Sequence, residues 1–435
     1  MLFFSQIYLF LFLPLVLVVI YNHKFLNIDY KIALILFSLF FYSWWNVFYL
    51  PLILVSIITN FYFCKKIFLS ENKKYYLFYG ISFNILILII FKYSDFIITN
   101  FNNIFGTTFQ LLNIPFPLAI SFITFQIITF FINCYDKEIK EIKFKDFFLF
   151  VIFFPQLIAG PIVKFAFMNP QFEKIFNIKF NNINFLLGIV ILLIGLIKKL
   201  IFADTLSIFV DYGFDNTDKL TFISSWILSL SFTFQLYFDF SGYVDMATGS
   251  ALMLNIYLPR NFNSPYKSLS IIDFWRRWHI TLSDFLTNYI YSPWLKSLKK
   301  ITFYKSMILV IVVFLIAGLW HGASWCFVLF GLTHGLGLVI NHSFRKLINY
   351  KINRFVSWFL TFNFINFSFI FFRSNNIDQF YNVIKNMVSL NLSDINILNH
   401  QYIDFKFILV FSLSFVICLF FKNTYFLIEQ YRKNN

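Results

Sequence analysis

Apolar residues in this chain come in long runs separated by short polar breaks, with little period-two alternation. The runs lie near residues 3–21, 32–47, 48–63, 76–94, 117–135, 147–163, 184–202, 222–240, 306–320, 323–341, 355–372 and 405–421. A membrane-spanning helix needs roughly 17–25 predominantly apolar residues, and runs of that order recur from end to end. The pattern predicts an all-α, polytopic integral membrane protein. One run differs: FFLFVIFFPQLIAGPIV (147–163) carries Pro155, Gly160 and Pro161, which break a helix and free its carbonyls. Such backbone survives at membrane depth only where protein or a wet cavity covers it. This segment is therefore expected to be re-entrant or kinked, leaving about eleven transmembrane helices.

The polar breaks set the orientation. Lys65, Lys66, Lys73 and Lys74 crowd residues 64–75, and Arg345, Lys346, Lys351 and Arg354 crowd 342–354; both loops are expected in the cytoplasm. Residues 97–116 carry no charge and 374–404 almost no Lys or Arg, so both are expected outside. Counting crossings puts the N-terminus outside and the tail, with Arg432 and Lys433, inside. The run 3–21 follows no basic residue and precedes no small-residue cleavage site, so it is expected to be a retained helix rather than a signal peptide.

The longest break, 255–305, holds Arg260, Lys267, Arg276, Arg277, Lys296, Lys299, Lys300 and Lys305 and is expected to be a cytoplasmic, interfacial segment. Within it, DFWRRWHITLSDFL (273–286) puts Phe274, Trp275, Trp278 and Leu282 at helical spacing, which predicts one amphipathic helix at the inner interface. Composition agrees with the pattern: 59% of the 435 residues are hydrophobic and 13% charged, about half the charge density of a soluble domain. The net charge of +15 is the Lys/Arg excess of cytoplasmic loops, and no nucleic-acid partner is implied. Cys64, Cys134, Cys326 and Cys418 lack disulfide or zinc spacing, and no metal is expected.

Candidate chemistry gathers at histidine. Three of six histidines, His321, His334 and His342, lie in FLIAGLWHGASWCFVLFGLTHGLGLVINH (314–342). On a helix starting near Lys305, His321 lies roughly 24 Å along the axis and is expected deep in the membrane. A neutral imidazole there is either hydrogen-bonded to a neighbouring helix or a general base, since an apolar site keeps it neutral. His334 could line the same cavity, and His342 marks the cytoplasmic end. His279 follows two arginines and a tryptophan. Arg276 and Arg277 either hold the phosphates of a cytosolic donor or snorkel to membrane lipid head groups. Asp239 and Asp245, in YFDFSGYVDMATGSA (237–251), are read as structural anchors for the arginine-rich segment. No GxSxG, P-loop, GxGxxG or HExxH occurs.

Together FYSWWN (41–46), FFPQLIAGPIVKF (153–165), YFDFSGYVDMA (237–247), NFNSPYKSLSIIDFWRRWHITLS (261–283) and GLWHGASW (318–325) resemble the membrane-bound O-acyltransferase superfamily. More narrowly, they resemble its bacterial branch that O-acetylates alginate, peptidoglycan and other envelope polysaccharides. The resemblance implies a single transmembrane domain over 1–435, with a signature core of roughly 117–345 and helices around a central funnel or tunnel. It implies His321 as the catalytic histidine of WHG and His279 as the second signature position. Trp278 and Trp320 join Arg276 and Arg277 as candidates for binding the donor. The cousin branch that transfers D-alanine to teichoic acid is similar around RWH and WHG. After YIYSPW (289–294) the acetylating branch usually has a glycine-rich turn, and here the chain reads LKSLKK.

The expected function is that of a bacterial inner-membrane O-acetyltransferase. It takes acetyl from cytosolic acetyl-CoA and passes it across the membrane to a periplasmic polysaccharide through a periplasmic or membrane-anchored partner. No other cofactor is expected. The abundant Phe, Ile, Asn and Lys suggest an AT-rich genome and tilt the acceptor toward peptidoglycan. The rivals are a D-alanyltransferase fed by a carrier protein and a transporter or flippase with histidine proton relays.

Overall fold

The computed structural model describes all residues except 140, 159, 349–351, 390–401 and 435, and of 432–434 the backbone alone. Lys351, part of the 374–404 loop and the side chains of Arg432 and Lys433 therefore lie outside the described residues. Among the described residues every regular element is helical. Six helices are long and apolar enough to cross a membrane: Val47–Leu69, Lys73–Phe105, Asn182–Asp215, Phe303–His321, Trp325–Leu347 and Arg354–Arg373. The bent pair Phe405–Phe420 and Tyr425–Tyr431 makes a seventh if it is one span. Eleven crossings would also need the shorter apolar helices Tyr8–Tyr21, Tyr30–Ser43 and Ile120–Tyr135, together with the long Phe222–Met253 helix.

Contacts divide the chain into two units, Met1–Leu193 with Tyr243–Pro259, and Ile194–Gly242 with Arg260–Asn435. In the first unit the proline-bearing segment is broken, as its composition predicts. Helix Phe144–Ile152 ends at Phe153, and a single turn, Phe154–Leu157, follows. The freed groups find side chains: Gln156 Nε2 donates to the Phe150 carbonyl at 2.6 Å, and Phe154 N–H donates to Ser38 Oγ at 3.2 Å. Phe147, Phe150, Phe153 and Phe154 are fully buried, so protein covers the irregular backbone. Nearby, Lys31 is paired with both Asp146 and Glu173, a buried cation neutralised twice.

The second unit contains a tight helical hairpin. Phe303–His321 is started by the Thr302 side chain accepting the Lys305 N–H, and the chain reverses at 322–324 into Trp325–Leu347. Glycines set the approach, because a Cβ on Gly318 would lie 2.3 Å from the Phe327 carbonyl oxygen, and one on Gly331 2.3 Å from that of Phe314. Small residues let membrane helices pack backbone to backbone.

Three expectations need correction. Residues 97–105, read as outer loop, continue the preceding helix through a π-turn at Ile89–Tyr93 to Phe105; polar Asn and Thr mask the helix without breaking it. The loop after 374, expected outside, contains the helix Ile377–Val388, capped by Asn376. The 273–286 segment is not one amphipathic helix. It forms Ile271–Trp275 and Ile280–Phe285, separated by His279 in a left-handed conformation, φ 44°. Phe274, Trp275, Trp278 and Leu282 are all buried against protein rather than laid on lipid.

Candidate active site

The site lies within the second unit, where three stretches of chain bring two histidines to one tryptophan. His321 is the last residue of its helix, about 27 Å from Phe303 at the usual rise. It therefore stands at the helix end, where the chain turns back. It is half-buried, with its ring 4.9 Å from Trp320, 5.1 Å from Phe372 and 5.9 Å from Phe330 between centroids. The Trp320 ring lies 6.1 Å from that of His279, which meets Phe240 edge-on at 4.8 Å. The structure thus brings together the two histidines that the sequence singles out, with Trp320 between them.

Their environments differ. His279 is 1% exposed, and burial pushes its pKa well below the ordinary histidine value, with the nearby His321 acting in the same direction. It is held neutral, because an apolar surround penalises the charged ring. His279 Nδ1 faces Asn261 Oδ1 at 3.3 Å, while Nε2 is buried with no hydrogen-bond partner among the described residues. One polar atom is committed and the other is open, the arrangement of a group waiting for a donor.

His334 does not join them. It is fully buried; Trp275 Nε1–H donates to its Nδ1 at 3.2 Å, and its Nε2 lies 3.0 Å from Ser368 Oγ. Accepting at Nδ1 fixes the proton on Nε2. The relay closes at the Ile365 carbonyl, which accepts from Ser368 at 2.7 Å. Both ring nitrogens are spent, so His334 is a structural pin between three helices. His342 is half-buried near the end of Trp325–Leu347.

The remaining candidates separate in the same way. Trp278 is buried among Phe262, Phe274, Tyr266 and Phe369 and serves the core, not a donor-facing surface. Arg277 pairs with Asp273 at 2.8 Å and reaches the Asn263 carbonyl at 3.4 Å; Arg276 is exposed. Asp239 anchors Lys199 at 2.6 Å, beside Asp204 on the same lysine at 3.0 Å. Its ion-pair partner is thus a lysine, not the arginine-rich segment expected for it. Asp245, in the first unit, is half-buried. Sequence reasoning did not single out Asn261, Phe240 or Phe372 as site residues. Asn261 stood inside a quoted motif, but its spacing gave no sign that it meets His279.

The long apolar helices define a multi-pass helical membrane protein, in which a buried, neutral His279 and a half-buried His321 meet around Trp320. The sequence pattern of the MBOAT, membrane-bound O-acyltransferase family matches residues 39–377, and the chain belongs to that family. It is an enzyme, an acyltransferase, which sets aside the transporter alternative. The chain is similar to a peptidoglycan O-acetyltransferase of Helicobacter pylori, 45% identical over 394 residues, covering 83% of this chain and 74% of that protein. It is 35% identical over 412 residues to a probable alginate O-acetylase of Azotobacter vinelandii, covering 91% and 80%. A teichoic acid D-alanyltransferase of Streptococcus thermophilus is 28% identical over 284 residues, covering 59% and 68%.

Proposed function

We propose that the chain is an O-acetyltransferase of the bacterial inner membrane. It takes acetyl from cytosolic acetyl-CoA and delivers it across the membrane for O-acetylation of a periplasmic polysaccharide, peptidoglycan ahead of alginate. A periplasmic or membrane-anchored partner completes the delivery. The N-terminus lies outside and the C-terminus in the cytoplasm. Similarity over most of its length to a peptidoglycan O-acetyltransferase favours this acceptor, and the observation that carries the chemistry is the accessible His321 beside Trp320 and the buried His279.

His321 takes the proton of the acceptor hydroxyl as its oxygen attacks the thioester carbonyl. The carbon–sulfur bond then breaks, and the leaving thiolate recovers the proton from the imidazolium. Such a base contributes ~10²–10⁴-fold. His279, through its open Nε2, orients the donor or stabilises the developing oxyanion. Arg276, exposed near the pair in sequence, is the candidate for the donor's phosphates.

The test supplies purified protein in proteoliposomes with radiolabelled acetyl-CoA on one side, or with an acylated carrier protein in its place. Cleavage of acetyl-CoA by wild type, lost in His321→Ala and strongly reduced in His279→Ala, supports the proposal. Use of the carrier alone would instead indicate the D-alanyl reaction.

A further inference from the structure

Asn261 is 1% exposed and sits where two stretches of chain are fastened together. Its carbonyl accepts the Ile280 N–H at 3.0 Å, and the Asn263 N–H donates to the Arg277 carbonyl at 2.9 Å. These two bonds lay residues 261–263 along 277–280 and hold His279 in its left-handed conformation between them. A non-glycine residue at φ 44° is uncommon and persists where its surroundings over-determine it.

The Asn261 side chain then sets the protons. Its Oδ1 accepts from the Thr281 backbone N–H at 3.2 Å and from the Thr281 hydroxyl at 3.0 Å, and it faces His279 Nδ1 at 3.3 Å. A backbone N–H only donates, so the amide oxygen, not the nitrogen, must face it. That oxygen has no proton to offer, so the proton in the bond to His279 belongs to Nδ1. A neutral imidazole carries one N–H; Nε2 is left with its lone pair, buried and without a partner among the described residues.

We propose that Asn261 is a positioning residue that fixes His279 in its Nδ1–H form and so presents Nε2 to the reacting groups as a hydrogen-bond acceptor. This rests on the reading that His279 borders the acetyl transfer. It selects between the two roles open to that ring. A neutral His279 of this form receives a hydrogen bond from a hydroxyl or amide and orients it; it has no proton at Nε2 to give to a developing oxyanion.

Histidine labelled with ¹⁵N in the detergent-solubilised full chain distinguishes protonated from lone-pair ring nitrogens, and the signal lost in His279→Gln identifies the ring. Wild type is expected to show Nδ1–H. Asn261→Asp, which keeps the oxygen, retains that form. Asn261→Leu, which removes it, shifts the ring toward Nε2–H and lowers turnover of acetyl-CoA roughly 10- to 100-fold, the range found where the outer hydrogen-bond partner of a metal-ligating histidine is lost. A wild-type ring protonated at Nε2 overturns the proposal, as does an Asn261→Leu protein whose tautomer and turnover are both unchanged. If the leucine variant fails to fold, the wild-type spectrum decides alone. The tautomer is read without substrate, so an Nε2–H ring refutes the positioning role even in a protein that cleaves acetyl-CoA.

Discussion

Gly318 stands three residues before His321, where the two hairpin helices pack backbone to backbone. A Cβ placed there would lie 2.3 Å from the Phe327 carbonyl oxygen and 3.0 Å from Gly331 Cα. Carbon–oxygen contacts of this kind ordinarily rest at 3.3–3.6 Å, so Gly318→Ala must part the helices by about 1 Å. Both obstacles are backbone, and no side chain can swing aside. Overpacking of this size costs about 1–3 kcal/mol. The larger effect falls on the site, because His321 rides on the displaced turn and a misplacement of about 1 Å can cost 10²-fold in rate. Gly318→Ala is therefore expected to lower acetyl-transfer turnover by one to two powers of ten and to lower the unfolding temperature by several degrees. Gly106→Ala is the control: its φ of +66° makes alanine unfavourable by about 1–2 kcal/mol, yet no atom lies within 4 Å of the added carbon. It should lose stability and keep its turnover per folded molecule. Wild-type turnover and stability in Gly318→Ala would refute the claim that this contact positions the histidine.

His334→Ala removes the acceptor of the Trp275 indole N–H, at about 1–3 kcal/mol for a buried donor left unsatisfied, and opens a cavity besides. Thermal unfolding should register the loss while turnover per folded molecule stays within a few-fold; a large rate loss at full stability would instead give His334 a part in the chemistry. Acid should destabilise the protein through His279. Burial holds its folded pKa well below the ordinary 6.5, so the unfolded chain takes up a proton there that the folded chain refuses. This contribution is fully present above pH 6.5 and is lost as pH falls below it, by at most about 1.4 kcal/mol per pH unit. Unfolding measured between pH 7 and 5 should show a shallower slope in His279→Gln, and identical slopes would place the acid sensitivity elsewhere.

The apolar runs made most of the helices legible, because membrane helices declare themselves by composition over a long window. Pro155, Gly160 and Pro161 likewise marked the broken segment, since their effect is local. His321 stood out because a histidine within long apolar sequence is costly unless it works. What the sequence hid was settled by contacts between distant positions. His279 adopts a left-handed conformation because residues 261–263 grip it, and no local signal separates that from a continuous amphipathic helix. His334 and His321 look alike in sequence; Trp275 and Ser368, from other helices, spend both nitrogens of the first. The same holds for Asp239, whose lysine partner is forty positions upstream.

In the proposed reaction His321 performs the proton transfer that lets a hydroxyl attack acetyl-CoA. A single-turnover measurement with radiolabelled acetyl-CoA, comparing wild type with a folded His321→Ala protein, tests it most directly. Thioester cleavage and labelled product are expected in wild type, and in His321→Ala a rate lower by ~10²–10⁴-fold with donor binding retained. Full turnover in His321→Ala would contradict it.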